Sequence, residues 1–277
     1  MTAPNPHADH SPTARLRGQA LTLAHGARVV SQALDIAVPD RAFSAVIGPN
    51  GCGKSTLLRA LARLARPAAG QVLLDGALIQ SLPTKEVARR LGVLPQSARH
   101  PEGIRVAELV ARGRHPHQDW LGRFSAADSQ AVAHAMQRTQ VQDLADRLVD
   151  ELSGGQRQRV WLAMVLAQQT PLMLLDEPTT FLDLSHQISL LELLRQLNRE
   201  EGRTLVAVLH DLNQACRWAD HLIVMREGRL ITQGAPRQIV TPALIEQVFD
   251  LPCQIIPDPV AGTPLVIPLG AAVPPHA

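Results

Sequence analysis

Tyrosine is absent, and phenylalanine and tryptophan bring aromatics to only 3% of the 277 residues. Base-stacking platforms are therefore scarce, which argues against nucleic-acid binding. Neither sign of charge is in excess. The 27 basic and 25 acidic side chains leave a net +2, too balanced for an electrostatic hold on nucleic acid. Only three cysteines occur, Cys52, Cys216 and Cys253, all far apart. An odd, scattered set argues against a disulfide framework and a zinc site, and fits a reducing compartment. Long apolar runs are missing too: Val160 to Ala167 is the longest, at about eight residues, where a bilayer span needs roughly twenty. No basic stretch near the N-terminus leads into an apolar core, so no secretory signal is expected.

What is present is a chain 45% apolar and 19% charged, long enough to bury a sizeable core. Residues 1–14 are rich in Pro, Ala and polar side chains and are expected to be a disordered tail. Proline-rich residues 251–277 read as irregular strand and loop, an extension packed on the domain formed by 15–250. Between the ends, apolar strand candidates alternate with helical stretches. The strands are Ala42–Ile47, Gln71–Asp75, Pro171–Leu175 and Thr204–Leu209. The helices are Lys54–Ala65, Thr84–Leu91, Arg105–Arg112, Ser125–Gln140, Leu184–Glu201 and Asp211–Trp218. Such alternation predicts an α/β fold with a largely parallel sheet covered on both faces. The helix-rich stretch from about 97 to 165 interrupts it and suggests a helical subdomain.

Gly48-Pro49-Asn50-Gly51-Cys52-Gly53-Lys54-Ser55 matches the phosphate-loop pattern and lies between a strand and a helix, the context that pattern requires. Its glycines let backbone N–H groups face a phosphate, and the helix start aims its positive end at the same point. Lys54 would neutralise terminal phosphates and Ser55 would ligate Mg²⁺. Cys52 stands beside a lysine and a helix start, which can lower a thiol pKa; the alternative is a small side chain tolerated in the loop. This loop by itself implies nucleotide binding and says nothing of how the energy is used.

Downstream, Leu152-Ser153-Gly154-Gly155-Gln156 precedes an apolar helix, and Leu172-Met-Leu-Leu-Asp176-Glu177 is a strand ending in two carboxylates. Phe181-Leu-Asp183 follows, with Gln96 before and His210 after. In this order the sequence resembles the ATP-binding cassette subunits of transporters over roughly residues 15–268. The resemblance implies a RecA-like P-loop core with a small antiparallel β part and an inserted helical subdomain. It assigns residues 48–55 with Thr56 to nucleotide binding, and Ser153, Gly154, Gly155 and Gln156 to the signature. Asp183 belongs to the D-loop, Gln96 to the Q-loop, and His210 is the switch histidine. Hydrolysis needs a positioned water and neutralised phosphate charge. Glu177 is the candidate general base, its alternative an outer-shell metal ligand. Asp176, Ser55 and Gln96 would complete a Mg²⁺ shell, and Lys54, Gln96 and His210 would act with Glu177. The family's adenine platform falls on His25, which offers a smaller face than a phenol and can also be read as a turn residue.

The resemblance further implies a head-to-tail homodimer that shares two ATP sites. It implies two integral membrane permease subunits and a location on the cytoplasmic face of the membrane. The stretch Arg112-Gly-Arg-His-Pro-His117 would meet the permease, or is a plain solvated loop. Thr179 to His186, His210 to Asp220 and Cys253 to Pro268 are similar to the iron–siderophore importer branch, of ferric-catecholate type. An external siderophore-binding protein would then be an indirect partner. Haem and cobalamin importers stay open as alternatives, as does a soluble non-transport cassette ATPase.

Overall fold

The structure is a computed structural model that describes residues 14–26, 28–96, 100–118, 123–180 and 182–270, with His25 described by its backbone alone. The first half of the chain runs β1 (Ala14–His25), β2 (Arg28–Pro39), β3 (Phe43–Ile47), α1 (Lys54–Leu61), β4 (Ala69–Leu74), β5 (Ala77–Leu78), α2 (Thr84–Arg90), β6 (Leu91–Leu94), α3 (Val106–Ala111) and α4 (Ala126–Arg138). The second half runs α5 (Gly154–Ala167), β7 (Leu172–Leu175), α6 (Leu184–Glu201), β8 (Thr204–Val208), α7 (Leu212–Trp218), β9 (His221–Arg226), β10 (Arg229–Gly234), α8 (Pro236–Ile239), α9 (Pro242–Phe249), β11 (Cys253–Pro257) and β12 (Pro264–Pro268). Among the described residues no helix is long and apolar enough to cross a membrane.

The central sheet has the order β10-β9-β3-β8-β7-β6. Its five strands β9, β3, β8, β7 and β6 are mutually parallel, and β10 closes one edge antiparallel to β9. Side chains of a strand alternate between faces, and here both faces are buried. Phe43, Ala45 and Ile47 of β3 join Met173, Leu175, Leu205 and Ala207 in one core with α3 to α7 and α9. Val46, Leu172, Leu174, Val206 and Val208 point the other way, into a second core with α1, β1, β2 and β4. Two covered faces leave few positions for polar side chains, Ser44 and Thr204 among them, which is why these strands read as mostly apolar runs.

The second layer is an antiparallel sheet of order β2-β1-β4-β5. Its first two strands escape the sequence reading for a physical reason. The β1–β2 register shifts between Gly18 and Leu21, with Ala20 at φ 47° and Ala33 at φ 50°. The bulge breaks the period-2 pattern that would mark a strand. Asp35 Oδ1 accepts the Ala20 N–H at 2.9 Å and satisfies it. The hairpin β9–β10 is also absent from the sequence expectations, although Leu222–Met225 is an apolar run and Glu227 and Gly228, at φ 50° and 74°, form its tight turn. The helix foreseen over Lys54–Ala65 stops at Leu61, and that over Ser125–Gln140 covers Ala126–Arg138.

The helices α3, α4 and α5 pack together on one side of the central sheet. Arg114, just after α3, is buried and ties the three: Nε donates to Asp128 Oδ1 at 2.8 Å and Nη1 to Ala167 O at 2.7 Å. Ser125 caps α4 through a reciprocal box with Asp128. At the C-terminal end, β11 and β12 form a hairpin held against α7. Asn213 of α7 donates to Val266 O at 3.1 Å and accepts from Val266 N–H at 2.7 Å. Residues 1–13 and 271–277 lie outside the described residues, so the tail expected over 1–14 is seen only at Ala14, where β1 begins.

Candidate nucleotide site

In a parallel sheet every strand delivers its following loop to the same edge. The loops after β3, β6, β7 and β8 therefore converge: the phosphate loop, Gln96, Asp176–Glu177 and His210.

The phosphate loop is shaped by backbone that only glycine adopts without strain. Gly48 has φ 151°, and a Cβ there would lie 2.0 Å from Met225 O of β9. Gly53, the N-cap of α1, has φ 103°, and a Cβ would meet Val30 Cγ1 of β2 at 3.0 Å. Gly228 N donates to Cys52 O at 3.1 Å, while the Gly228 Cα hydrogen faces Val30 O so closely that a Cβ would lie at 1.7 Å. The loop is thus wedged between β9, β2 and the β9–β10 turn. No side chain caps α1, so its first N–H groups are free to receive an anion. Lys54 is buried and its Nζ donates to Gly48 O at 2.8 Å and Pro49 O at 2.9 Å. Burial pushes the Cys52 thiol pKa up, with the Lys54 charge offsetting only part of it. Of the two readings of Cys52, burial favours the small side chain tolerated in the loop, since desolvation outweighs the neighbouring cation.

Asp176 is buried at the end of β7 and accepts from Ser55 Oγ at 2.9 Å. Burial drives its carboxyl pKa up, and the Ser55 hydroxyl opposes this. Glu177 sits at φ 54°, a left-handed backbone that costs a non-glycine residue energy and turns its side chain off the strand line. Both carboxylate oxygens have partners. His210 Nε2 is 2.8 Å from Oε1, and Gln96 Nε2 donates to Oε2 at 2.8 Å. Thr180 Oγ1 adds a third contact at 3.3 Å. The sequence reading had not singled out Thr180; its place three residues after Glu177, on a turn closed by Thr180 N to Glu177 O, was the available signal. Ser55, Asp176 and Gln96 are hard oxygen donors of the kind that suit Mg²⁺, which is held by one or two carboxylates together with substrate phosphates. Among the described residues no group of three His, Cys, Asp or Glu could hold a metal by itself.

Residues 153–156 open α5. Ser153 is the N-cap: its Oγ accepts Gln156 N–H at 3.2 Å, and Gln156 Oε1 accepts Ser153 N–H at 3.1 Å. The N–H groups of Gly154 and Gly155 have no partner inside the helix. Gln158 Nε2 donates to Pro178 O at 3.1 Å, so α5 is fastened to the turn after Glu177. Asp183 caps α6. Its Oδ1 takes the His186 N–H at 2.9 Å, His186 Nδ1 at 2.7 Å and Ser185 Oγ at 2.9 Å. The backbone N–H of His186 is the largest cause, ahead of its ring and Ser185, that holds this carboxyl down at about 2. In the sequence, His186 enters only as the end of the stretch Thr179 to His186, with no role of its own. The expectation for His25 concerns a side chain outside the described residues, as does Phe181.

The ABC transporter family profile matches residues 32–180. The ferric enterobactin transport ATP-binding protein FepC of Escherichia coli (strain K12) is 62% identical over 94% of this chain and 96% of its own. The achromobactin transport ATP-binding protein CbrD of Dickeya dadantii (strain 3937) is 52% identical over 92% of this chain and 94% of its own. Among solved structures, the dimeric bacterial ABC transporter cassette MJ0796 superposes with a TM-score of 0.72 at 26% identity, covering 79% of this chain and 98% of that one.

Proposed function

Because the chain belongs to the ABC transporter family as an ATP-binding, ATP-hydrolysing subunit, we propose that it drives uptake of a ferric siderophore through separate permease subunits, from the cytoplasmic face of the membrane. The observation that carries the hydrolytic part is Glu177, held by Gln96 and His210 beside the buried Asp176–Ser55 pair. The siderophore is supported by the two relatives above, each matched over nearly its whole length.

In this reading Lys54 leaves the carbonyls of Gly48 and Pro49 for the terminal phosphates of ATP, and the free N–H groups of the loop and α1 cradle them. Ser55 and Asp176 would hold Mg²⁺, which would supply charge neutralisation. Glu177 orients the attacking water and receives its proton, while Gln96 and His210 fix the direction of the carboxylate. The unpaired N–H groups at Gly154 and Gly155 have no nucleotide in their own subunit to serve. They close over the ATP of a second copy, so each nucleotide is held by Lys54 of one subunit and Ser153 of the other.

A mixing experiment tests the shared site. Lys54→Ala alone abolishes nucleotide trapping, and Gly154→Asp alone does so by facing a carboxylate to phosphate. When the two variants are mixed, about half the dimers are hybrids by random pairing, with both lesions in one site and the other intact. Where the two sites close independently, one trapped ATP per hybrid is expected; no recovery of trapping then means each subunit works alone. Ferric siderophore uptake in membranes with the cognate permeases, against cobalamin as competitor, tests the cargo.

A further inference from the structure

Away from the nucleotide cluster, a cavity of about 440 Å³ opens between the C-terminal end of α4, the first half of α5 and the first half of α6. Small-molecule sites run from roughly 300 to 1,000 Å³. Leu162, Leu190 and Leu193 form the apolar part of its lining. Two guanidinium groups line it from different helices, Arg138 at the end of α4 and Arg159 on α5, and His186 of α6 stands with them.

The charge balance of these two arginines is unusual. Arg159 makes no hydrogen bond or ion pair among the described residues, and its Nε is a buried donor with no acceptor. Arg138 Nε and Nη2 are likewise buried without a hydrogen-bond partner. Its nearest carboxylates, Glu200 and Glu201, stand at 3.9 and 3.8 Å, too far to accept a hydrogen bond. Glu201 is already engaged by Arg203 at 2.8 Å. One carboxylate, that of the exposed Glu192, lines the cavity. A guanidinium without a protein acceptor is satisfied only by water or by a bound anion, and Arg159 brings that demand to a hollow that Arg138 also lines.

We propose that this cavity is a binding site for a small organic anion, its carboxylate or phosphate accepting from Arg138 and Arg159 and its apolar body lying on the three leucines. The fit is to a planar or tetrahedral oxyanion, which guanidinium forks match better than an ammonium does.

Calorimetric titration of the full chain with benzoate, phenyl phosphate and neutral benzamide tests the assignment. At least one anion binds saturably at one site, benzamide binds about 10-fold more weakly or not at all, and Arg159→Gln weakens the anion by about 10-fold. Lys54→Ala leaves that binding intact, which separates the cavity from the phosphate loop. Should Arg159→Gln not fold, Arg138→Gln on the other helix carries the same test. Benzoate without phenyl phosphate assigns a carboxylate ligand, and the reverse a phosphate ester. The proposal is overturned if neither anion binds, if benzamide binds equally, if both arginine variants bind as the parent does, or if Lys54→Ala abolishes the signal.

Discussion

Replacing Asp128 by asparagine removes one charge from a pair that is almost wholly buried, with Arg114 and Asp128 only 5% and 4% exposed. The carboxylate accepts from Arg114 Nε at 2.8 Å and from the Ser125 backbone N–H and hydroxyl at 2.9 and 2.7 Å. These contacts, the Ser125 N–H first and the Arg114 guanidinium after it, hold the carboxyl at about 2 against an ordinary 3.8. A folded-state pKa below the unfolded value stabilises the fold above the unfolded pKa and stops doing so as pH falls through the folded one. The difference is worth about 2 kcal/mol at neutral pH. Breaking a buried pair costs about 3–5 kcal/mol, but Arg114 Nη1 keeps Ala167 O and Gln169 Oε1, so about 2–3 kcal/mol is expected. For a chain of this size that is a melting-point loss of about 3–5 °C. Calorimetric melting at pH 7 and pH 3 reads both effects. The gap between parent and Asp128→Asn narrows by about 1 kcal/mol at pH 3, where the unfolded aspartate is largely protonated. A variant melting within a degree of the parent at pH 7, or a gap that does not narrow in acid, refutes the reasoning.

Glu177→Gln keeps the shape held by Gln96 and His210 but removes the base. ATP still binds and turnover falls by about 10²-fold or more, some 2.7 kcal/mol in the barrier; near-normal turnover would take Glu177 out of that role. Gly228→Ala sets a Cβ against Val30 O at a φ of 74°. It lowers stability by about 2 kcal/mol and weakens ATP binding through the Gly228–Cys52 bond, as melting and nucleotide titration will register. If melting falls while affinity holds, the turn does not support the loop.

Most of the site was legible because its chemistry is local in sequence. Residues 48–55 and the Asp176–Glu177 pair each declare themselves within a few positions. The contacts that give Glu177 its direction are mostly not local: Gln96 and His210 lie 81 and 33 positions away, and they reach it only because β6 and β8 flank β7. Fold legibility divides in the same way. The buried strands β3, β7 and β8 announce themselves as apolar runs, whereas β1 and β2 hide behind the bulge at Ala20 and Ala33. Nothing in Arg159, one of several arginines after the signature, foretold that it would have no partner.

The wedging of the phosphate loop by Met225, Val30 and Gly228 has a calorimetric consequence. A loop fixed by these contacts has little conformational entropy left to lose, so nucleotide capture orders almost nothing. The heat-capacity change of the first binding step should then be slight, since it reflects only the surface that the nucleotide covers. In the proposed shared-site dimer, the large negative change belongs to a later event, when a second copy buries apolar surface on closing. Heat capacity thus distinguishes loading the site from shutting it.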